Sequence, residues 1–325
     1  MKYVSSFYRE EDDAAIEQMV LSSYQWENPI WGLSRHEFCK GLHPEFTGFR
    51  DSWPHTVGVF RTENRIVACV INEGNYDGEG FFLFESQERG RDPELILEMI
   101  RFAKTYAVGI RDNRRTRFVN IPVARWNTVL GDLLLESGFK QTDETDTQLI
   151  LPFGKEPFNV VLPEGYVFAD GSITPPFHLS NVHRHSFAYG HESHACEHGA
   201  KAFRELRTMK HYRKELELCV LDPRKLPVAM AIIWYDEVMP YCELEPLAVV
   251  WWERRKGIGR ALMHELANRV MHLFPACTGM LGGDQSFYSR IGYEKKSETI
   301  RYHWEVDVII SWEKESFDKD YAKEV

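Results

Sequence analysis

The sequence lacks the features that mark membrane, secreted and nucleic-acid-binding proteins. No segment approaches the roughly 18 consecutive apolar residues of a transmembrane helix, and residues 1–6 contain no apolar signal-peptide core. The six cysteines are scattered, without the paired spacing of a metal site. With 49 acidic against 39 basic residues, the net charge of −10 argues against non-specific nucleic-acid binding. These absences predict a reduced, cytoplasmic protein that binds neither membrane nor nucleic acid.

The chain is long enough for two domains. Its 325 residues and hydrophobic content of 43% allow two sizeable cores. The two halves show a similar order of predicted strands and helices, and the Pro- and Gly-containing segment 152–165 is the best candidate linker between them. We therefore predict two copies of one α/β (α+β) domain, at residues 1–155 and 163–325.

The most informative motif is the basic glycine loop at 254–260, Arg-Arg-Lys-Gly-Ile-Gly-Arg. It follows a predicted strand at 241–250 and precedes a predicted helix at 258–274 with apolar residues at every fourth position. Glycine permits a tight turn, and a helix N-terminus with free N–H groups favours phosphate. The pattern is not a P-loop, and Leu262 occupies the third glycine position of a dinucleotide-binding motif.

The remaining pattern, Arg-x-x-Gly-x-Gly, closely resembles the acyl-CoA pyrophosphate loop of the GCN5-related N-acetyltransferases (GNATs). The segment 287–293, Phe-Tyr-Ser-Arg-Ile-Gly-Tyr, resembles the next motif of that family in order and spacing. The resemblance is strong over residues 216–304 and faint elsewhere. It implies tandem GNAT folds, each with a mixed, mostly antiparallel central sheet flanked by helices, and acetyl-CoA as co-substrate without a metal.

In this family an amine attacks the thioester of acetyl-CoA directly, and the resemblance implies a role for several residues. Glu243 and Glu245 face the same side of their strand and are candidates for the general base. Glu243 ranks first because it lies at the family's distance before the loop. Tyr288 occupies the position of the acid that protonates the departing thiolate. The implied cofactor-binding residues are Leu247, Ala248 and Val249 on the strand, and Arg254, Arg255, Lys256, Gly257, Gly259, Arg260 and Ala261 in the loop.

Simpler interpretations of these residues stay open at the level of sequence. The loop can be a helix start with a solvated basic face. The two glutamates can be solvated strand residues or a rim that attracts a cationic substrate, and Tyr288 can be a core aromatic residue. Trp251 and Trp252, just before the loop, are expected to pack beneath it.

The first copy lacks the corresponding parts. Its segment 133–139 has Leu134 in the place of the tyrosine, and its loop region 86–93 has no Gly-x-Gly and carries acidic residues that would repel phosphate. The resemblance therefore implies a degenerate copy that braces the active one, closes over its substrate, or binds a ligand of its own.

A histidine-rich segment, His183–His198, is the other conspicuous feature. It does not follow the His-Glu-x-x-His pattern of zinc proteases, so an ordinary polar loop or a lining of the acceptor pocket is favoured over a metal site.

Together these features predict an enzyme that transfers an acetyl group from acetyl-CoA to a primary amine on a small molecule or a peptide. The C-terminal copy would carry the chemistry. Two alternatives remain: a non-catalytic acyl-CoA-binding or regulatory protein, and an acyltransferase with a different acyl donor. The sequence does not decide the oligomeric state, and a homo-oligomer stays open.

Overall fold

A computed structural model describes residues 3–26, 30–38, 53–73, 78–111, 115–187 and 196–307. Over these ranges the chain forms two successive sets of strands and helices. The first set comprises β1 (Val4–Phe7), α1 (Asp13–Trp26), α2 (Leu33–Glu37), β2 (Gly58–Thr62), β3 (Arg65–Ile71), β4 (Phe81–Phe84), α3 (Pro93–Tyr106), β5 (Gly109–Ile110), β6 (Thr116–Ala124), α4 (Thr128–Glu136) and β7 (Lys140–Pro152). The second comprises β8 (Val167–Asp170), α5 (Pro176–Phe187), α6 (Cys196–Leu206), β9 (Glu217–Leu221), β10 (Pro227–Trp234), β11 (Cys242–Val249), α7 (Ile258–Leu273), β12 (Gly279–Gly282), α8 (Ser286–Arg290) and β13 (Glu294–Asp307).

The two sets repeat the same order of elements, apart from the short β5. Each runs strand, two helices, three strands, helix, strand, helix, strand. This order, with mixed sheets flanked by helices, confirms the predicted fold class. The predicted apolar face of α7 is also confirmed, because Ile258, Leu262, Leu266 and Val270 are all buried.

The last strand of each copy pairs with the other copy. β7 lies antiparallel to β12, from Gly279↔Pro152 to Gly282↔Leu149, and β13 lies antiparallel to β6 along its second half. β7 and β13 also pair with each other. One nine-stranded sheet therefore runs β5-β6-β13-β7-β12-β11-β10-β9-β8, while β1–β4 form a second sheet in sequence order. The segment 153–166 connects the copies along the chain, but the hydrogen-bonded sheet crosses between them.

Helices α1 and α2 of the first copy dock on the second copy through polar contacts. His211 Nδ1 lies 2.7 Å from Glu37 Oε1, and the ammonium group of Lys210 pairs with the buried carboxylate of Glu17. These contacts hold α2 beside β11. A helix of the first copy therefore lies against an inner strand of the second copy. In the described part of the chain, no helix has both the length and the apolar character needed to span a bilayer.

Candidate functional site

A gap opens between β11 and β12 where the two parallel strands separate. They pair only at Cys242↔Met280 and Glu243↔Leu281. Beyond these pairs β11 continues along β10, and its register with β10 shifts between Ala231 and Ile233. The side of β11 that faces away from β10 is therefore left without a strand partner after its second residue, among the residues described.

The backbone of β11 directs two of the three predicted strand donors into this gap. Val250 N–H donates to Val228 O at 3.0 Å, so it points towards β10. Successive residues of a strand direct their N–H groups to opposite sides. Ala248 N–H therefore points to β10 as well, whereas the N–H groups of Leu247 and Val249 face the gap. Of the three predicted backbone N–H donors, those of Leu247 and Val249 are therefore open to a ligand in the gap, and that of Ala248 is not.

The glycine loop forms the N-terminus of α7 at the end of this gap. Gly257 has φ +82°, a left-handed conformation that favours glycine, and a Cβ atom added to it would meet nothing within 4 Å. Ala261 N–H donates to Gly257 O at 3.0 Å, the first bond of the helix. The N–H groups that precede this bond, at 258–260, are the free donors of a helix N-terminus. Ala261 itself is removed from the predicted donors because its N–H is already bonded.

Two of the loop cations, Arg254 and Lys256, bind groups within the protein, and Arg255 and Arg260 point to solvent. The guanidinium group of Arg254 donates to Val249 O at 3.2 Å and to Ser186 O, so it ties the loop to β11 and α5. Lys256 Nζ lies 2.8 Å from Glu253 Oε2. Arg255 and Arg260 are exposed beside the open helix end. An anion at this end would meet free N–H groups, the positive end of the helix dipole and these two guanidinium groups.

Gly259 joins the two motifs through close packing. A Cβ atom at this position would lie 3.3 Å from Phe287 Cζ and 3.4 Å from Val249 Cγ2, tighter than most side-chain contacts. Glycine at 259 is thus explained by the approach of α7 to α8 and β11, whereas glycine at 257 is explained by its backbone conformation.

Tyr288 is buried next to this packing contact and lies close to one of the two glutamates. Burial raises the pKa of Tyr288 to about 12, with the negative charge of Glu245 as the second cause. Its ring packs against Tyr293, with 5.0 Å between centroids. The charge of Glu245 therefore acts on the hydroxyl group of Tyr288.

Glu243 is held by the first copy. Its Oε2 accepts hydrogen bonds from Tyr24 Oη at 3.0 Å and from the backbone N–H of Ser34 at 3.1 Å. Gly32 approaches so closely that an added Cβ would lie 2.3 Å from Glu243 Oε1. Burial raises the pKa of Glu243, and the bonds from Ser34 and Tyr24 lower it in part. Glu243 thus anchors α2 against β11.

Glu245 is placed differently. No hydrogen bond or ion pair joins its carboxylate to any other described residue, and it lines a cavity of about 390 Å³. Glu245 is exposed towards the cavity, but desolvation by the surrounding protein, followed by the charge of Glu243, raises the pKa of Glu245 from 4.5 to about 7. A carboxyl group with this pKa changes its protonation state near neutral pH, as a general base requires.

The cavity at Glu245 has walls from both copies, which the sequence did not reveal. α2 contributes Arg35, β4 contributes Phe81 and β7 contributes Asp146. A second cavity of about 330 Å³ adjoins the first, and six residues line both. No motif marks these first-copy residues, because they become neighbours of β11 only through the docking of α2 and the pairing of β7 with β12.

The corresponding region of the first copy is already filled by its own side chains. Asp92 caps α3, and its Oδ1 accepts from the N–H groups of Glu94 and Leu95 at 3.1 and 3.4 Å. A carboxylate thus occupies the helix end where an anion would bind. Among the described residues, the chain just before β4 meets β6 at the bridge Glu79↔Asn120. Near the ends of these strands, the rings of Trp26 and Trp126 meet edge to face, with centroids 6.1 Å apart, and border a void of only about 30 Å³.

The other predicted features fall outside the gap. His183 packs against Phe187 on α5, and His185 against Trp252, with ring centroids 4.6 and 5.0 Å apart. Positions 191 and 194 lie outside the described residues, as does the side chain at 198. Trp251 and Trp252 are about half exposed, at 48% and 43%, so neither ring is fully covered by the loop.

Comparisons with known proteins show the fold. No protein-family model matches the chain, and no curated protein sequence does. A GCN5-related N-acetyltransferase from Sphaerobacter thermophilus matches with a TM-score of 0.60 at 12% identity, over 94% of this chain and 96% of that one. A tandem GNAT protein from the clavulanic acid biosynthesis pathway gives 0.60 at 13% identity, over 94% and 98%. A GNAT-family acetyltransferase from Colwellia psychrerythraea gives 0.54 at 11% identity, over 93% and 99%. The chain therefore has the tandem GNAT fold, as the motifs predicted.

Proposed function

We propose that the protein is an acetyl-CoA-dependent N-acetyltransferase whose C-terminal copy binds acetyl-CoA and carries the chemistry. The observation that supports this most is the gap between β11 and β12, which has free N–H groups along one side, an open helix N-terminus at one end, and Glu245 and Tyr288 close together. The free N–H groups at 258–260 and the exposed Arg255 and Arg260 suit a pyrophosphate. The N–H groups of Leu247 and Val249 suit the amide-bearing arm and the thioester carbonyl.

Glu245 takes the first proton in this proposal. Alkyl amines are mostly protonated at neutral pH and must lose a proton before they can attack. Glu245 has a free carboxylate, a pKa near the working pH and a place in the cavity wall. Glu243, which the sequence ranked first, already accepts two hydrogen bonds from the first copy, so we assign it the positioning of α2 and β11.

The remaining residues act on the thioester. Donors in the gap stabilise the negative charge that develops on the carbonyl oxygen as the amine nitrogen bonds to the carbonyl carbon. When the carbon–sulfur bond breaks, Tyr288 donates its O–H towards the sulfur. A phenol of pKa about 12 is a weaker acid than a thiol, with a pKa of about 8.5, so Tyr288 mainly donates a hydrogen bond. Of the two protons that the ammonium group loses, one ends on coenzyme A and one is released to solvent.

Tyr288→Phe tests this assignment. We expect kcat to fall by about 10- to 100-fold, at the lower end of proton-transfer effects, while the Kd for acetyl-CoA changes less than threefold. The measurement is thiol release with an amine panel, together with calorimetric titration of acetyl-CoA. An unchanged kcat would exclude Tyr288 as the donor. Tight binding in the wild type without thiol release for any amine would favour a non-catalytic acyl-CoA-binding protein.

The number of cofactor sites gives a second test. Because Asp92 caps α3 and the two tryptophans narrow the cleft of the first copy, we expect one acetyl-CoA to bind per chain. Calorimetric titration measures this ratio directly. A ratio of two would show that the first copy rearranges to bind the cofactor, and would contradict its assignment as a degenerate copy.

A further inference from the structure

We propose that the acetyl acceptor is a small amine with at least one further positive charge, which the cavity carboxylates hold away from the reacting nitrogen. This inference rests on the proposed function, because it names the substrate class of the same site. It stands on the shape of the two adjoining cavities, on the charges that line them and on two carboxylates that lack partners.

The lining of the two cavities is strongly acidic. Six carboxylates belong to it: Glu73, Glu79, Glu144, Asp146, Glu243 and Glu245. Of the described residues that line the cavities, only Arg35 and Arg301 are cations. The described part of the lining therefore holds four more carboxyl groups than cationic groups. A cleft lined by an excess of one sign of charge attracts ligands of the opposite charge.

The two guanidinium groups are already paired. Arg35 Nε lies 2.7 Å from Glu73 Oε1, and Arg301 lies 3.1 Å from both Glu79 Oε1 and Glu144 Oε2. They are therefore poor receptors for an anionic group on the acceptor. An amine that also carried a carboxylate would face the excess negative charge, which disfavours it.

Two carboxylates of the described lining remain without partners, one on β11 and one on β7. No hydrogen bond or ion pair joins Glu245 or Asp146 to another described residue. Glu245 lies at the reacting end beside β11, and Asp146, on β7, lines both cavities. In the second cavity, burial raises the pKa of Glu79, and the charge of Arg301 lowers it in part. A linear dication fits the arrangement, with one nitrogen at Glu245 and the second near Asp146.

The experiment compares acceptors of matched length. Thiol release from acetyl-CoA is measured with n-alkylamines, α,ω-diaminoalkanes and ω-amino carboxylic acids of three to eight carbons. We expect kcat/KM for the best diamine to exceed that of the matched monoamine by about 10- to 100-fold, because one charge-assisted hydrogen bond changes affinity by about this factor. The amino acids should be the poorest acceptors. The preference for diamines should weaken with added salt.

Asp146→Asn is the informative variant, and Asp143→Asn is its matched control. Both residues are exposed acids on β7, but Asp143 lines neither cavity. Asp146→Asn should lower kcat/KM about tenfold more for diamines than for monoamines, mainly through KM. Asp143→Asn should leave both values unchanged.

The result separates this inference from the proposed function. Thiol release with equal kcat/KM for monoamines and diamines, or with a preference for amino acids, overturns the inference and leaves the acetyltransferase intact. Thermal stabilisation by an amine can be measured without turnover. A rise in melting temperature with diamines but not with monoamines supports the inference if Asp146→Asn abolishes it. Absence of that shift in the wild type overturns it.

Discussion

Glu245→Gln should lower kcat by about 100- to 10,000-fold at pH 8, the range for loss of a positioned general base. Glutamine keeps the size and polarity of the side chain but cannot take a proton. The wild-type kcat/KM should rise with pH through about 7, because the pKa of Glu245 is raised to that value and only the carboxylate accepts a proton. The variant should lose this rise. Steady-state rates between pH 5.5 and 9 measure both effects.

Glu243→Gln is the comparison, since glutamine can still accept the bonds from Tyr24 and Ser34 through its carbonyl oxygen. We expect kcat to fall less than tenfold. If kcat falls severely in Glu243→Gln and only mildly in Glu245→Gln, Glu243 is the general base, as the sequence ranking had it.

Melting temperatures test whether the Glu245 variant is folded. A carboxyl group whose pKa is higher in the folded state binds more protons there than in the unfolded state, so its contribution to stability falls as pH rises from about 4.5 to about 7. Glutamine removes this contribution. Glu245→Gln should therefore be at least as stable as the wild type at pH 8, which separates a catalytic defect from unfolding.

Gly257→Asp should abolish the thermal stabilisation that acetyl-CoA gives the wild type. A ligand at about 100 times its Kd stabilises a protein by about 2.7 kcal/mol, so the wild-type shift is easily measured. The substitution disfavours the left-handed backbone at 257 and adds a negative charge beside the free N–H groups of α7. Both effects oppose binding of a pyrophosphate.

Gly138→Asp provides the matched control for this variant. Gly138 has φ +87°, and an added Cβ would meet nothing within 4 Å, as at Gly257. It follows α4 in the first copy, away from α7. The two variants should therefore carry a similar backbone penalty without ligand, but only Gly138→Asp should keep the shift with acetyl-CoA. A shift that persists in Gly257→Asp would mean that the loop is not the cofactor site.

The sequence predicted the parts of the fold that have a strong local pattern. The strand predicted at 241–250 and the helix predicted at 258–274 each agree within a residue with β11 and α7. Each has an apolar run or a regular apolar face that packs on its own copy. Such a pattern is imposed by neighbours close in the chain, so it can be recognised from sequence alone.

The two longest strands were missed. β7 and β13 are rich in Thr, Glu, Lys and Asp, and over much of their length neither shows the alternation of apolar and polar residues that marks a half-buried strand. They are stabilised along their edges by pairing with each other and with the opposite copy. Backbone pairing of this kind leaves little trace in side-chain pattern.

For the candidate site, the sequence motifs pointed to the residues that carry a local signal: the end of β11, the glycine loop and Tyr288. Sequence spacing could not show that Tyr24 and Ser34 occupy one carboxylate oxygen of Glu243, nor that Arg35 and Asp146 complete the cavity around Glu245. These contacts join residues more than 90 positions apart in the chain, so only the tertiary structure defines them.

The exchange of β7 and β13 has a consequence for the history of the chain. The arrangement is that of a domain-swapped dimer whose two subunits a linker has fused into one polypeptide. A gene shortened to the second copy would lose the strand between β12 and β13 and would expose unpaired edges that invite association with other chains. The second copy therefore depends on the first for a complete sheet, whichever of the two binds a ligand. Deletion of the first copy should remove the fold of the second, and not only the walls of a cavity.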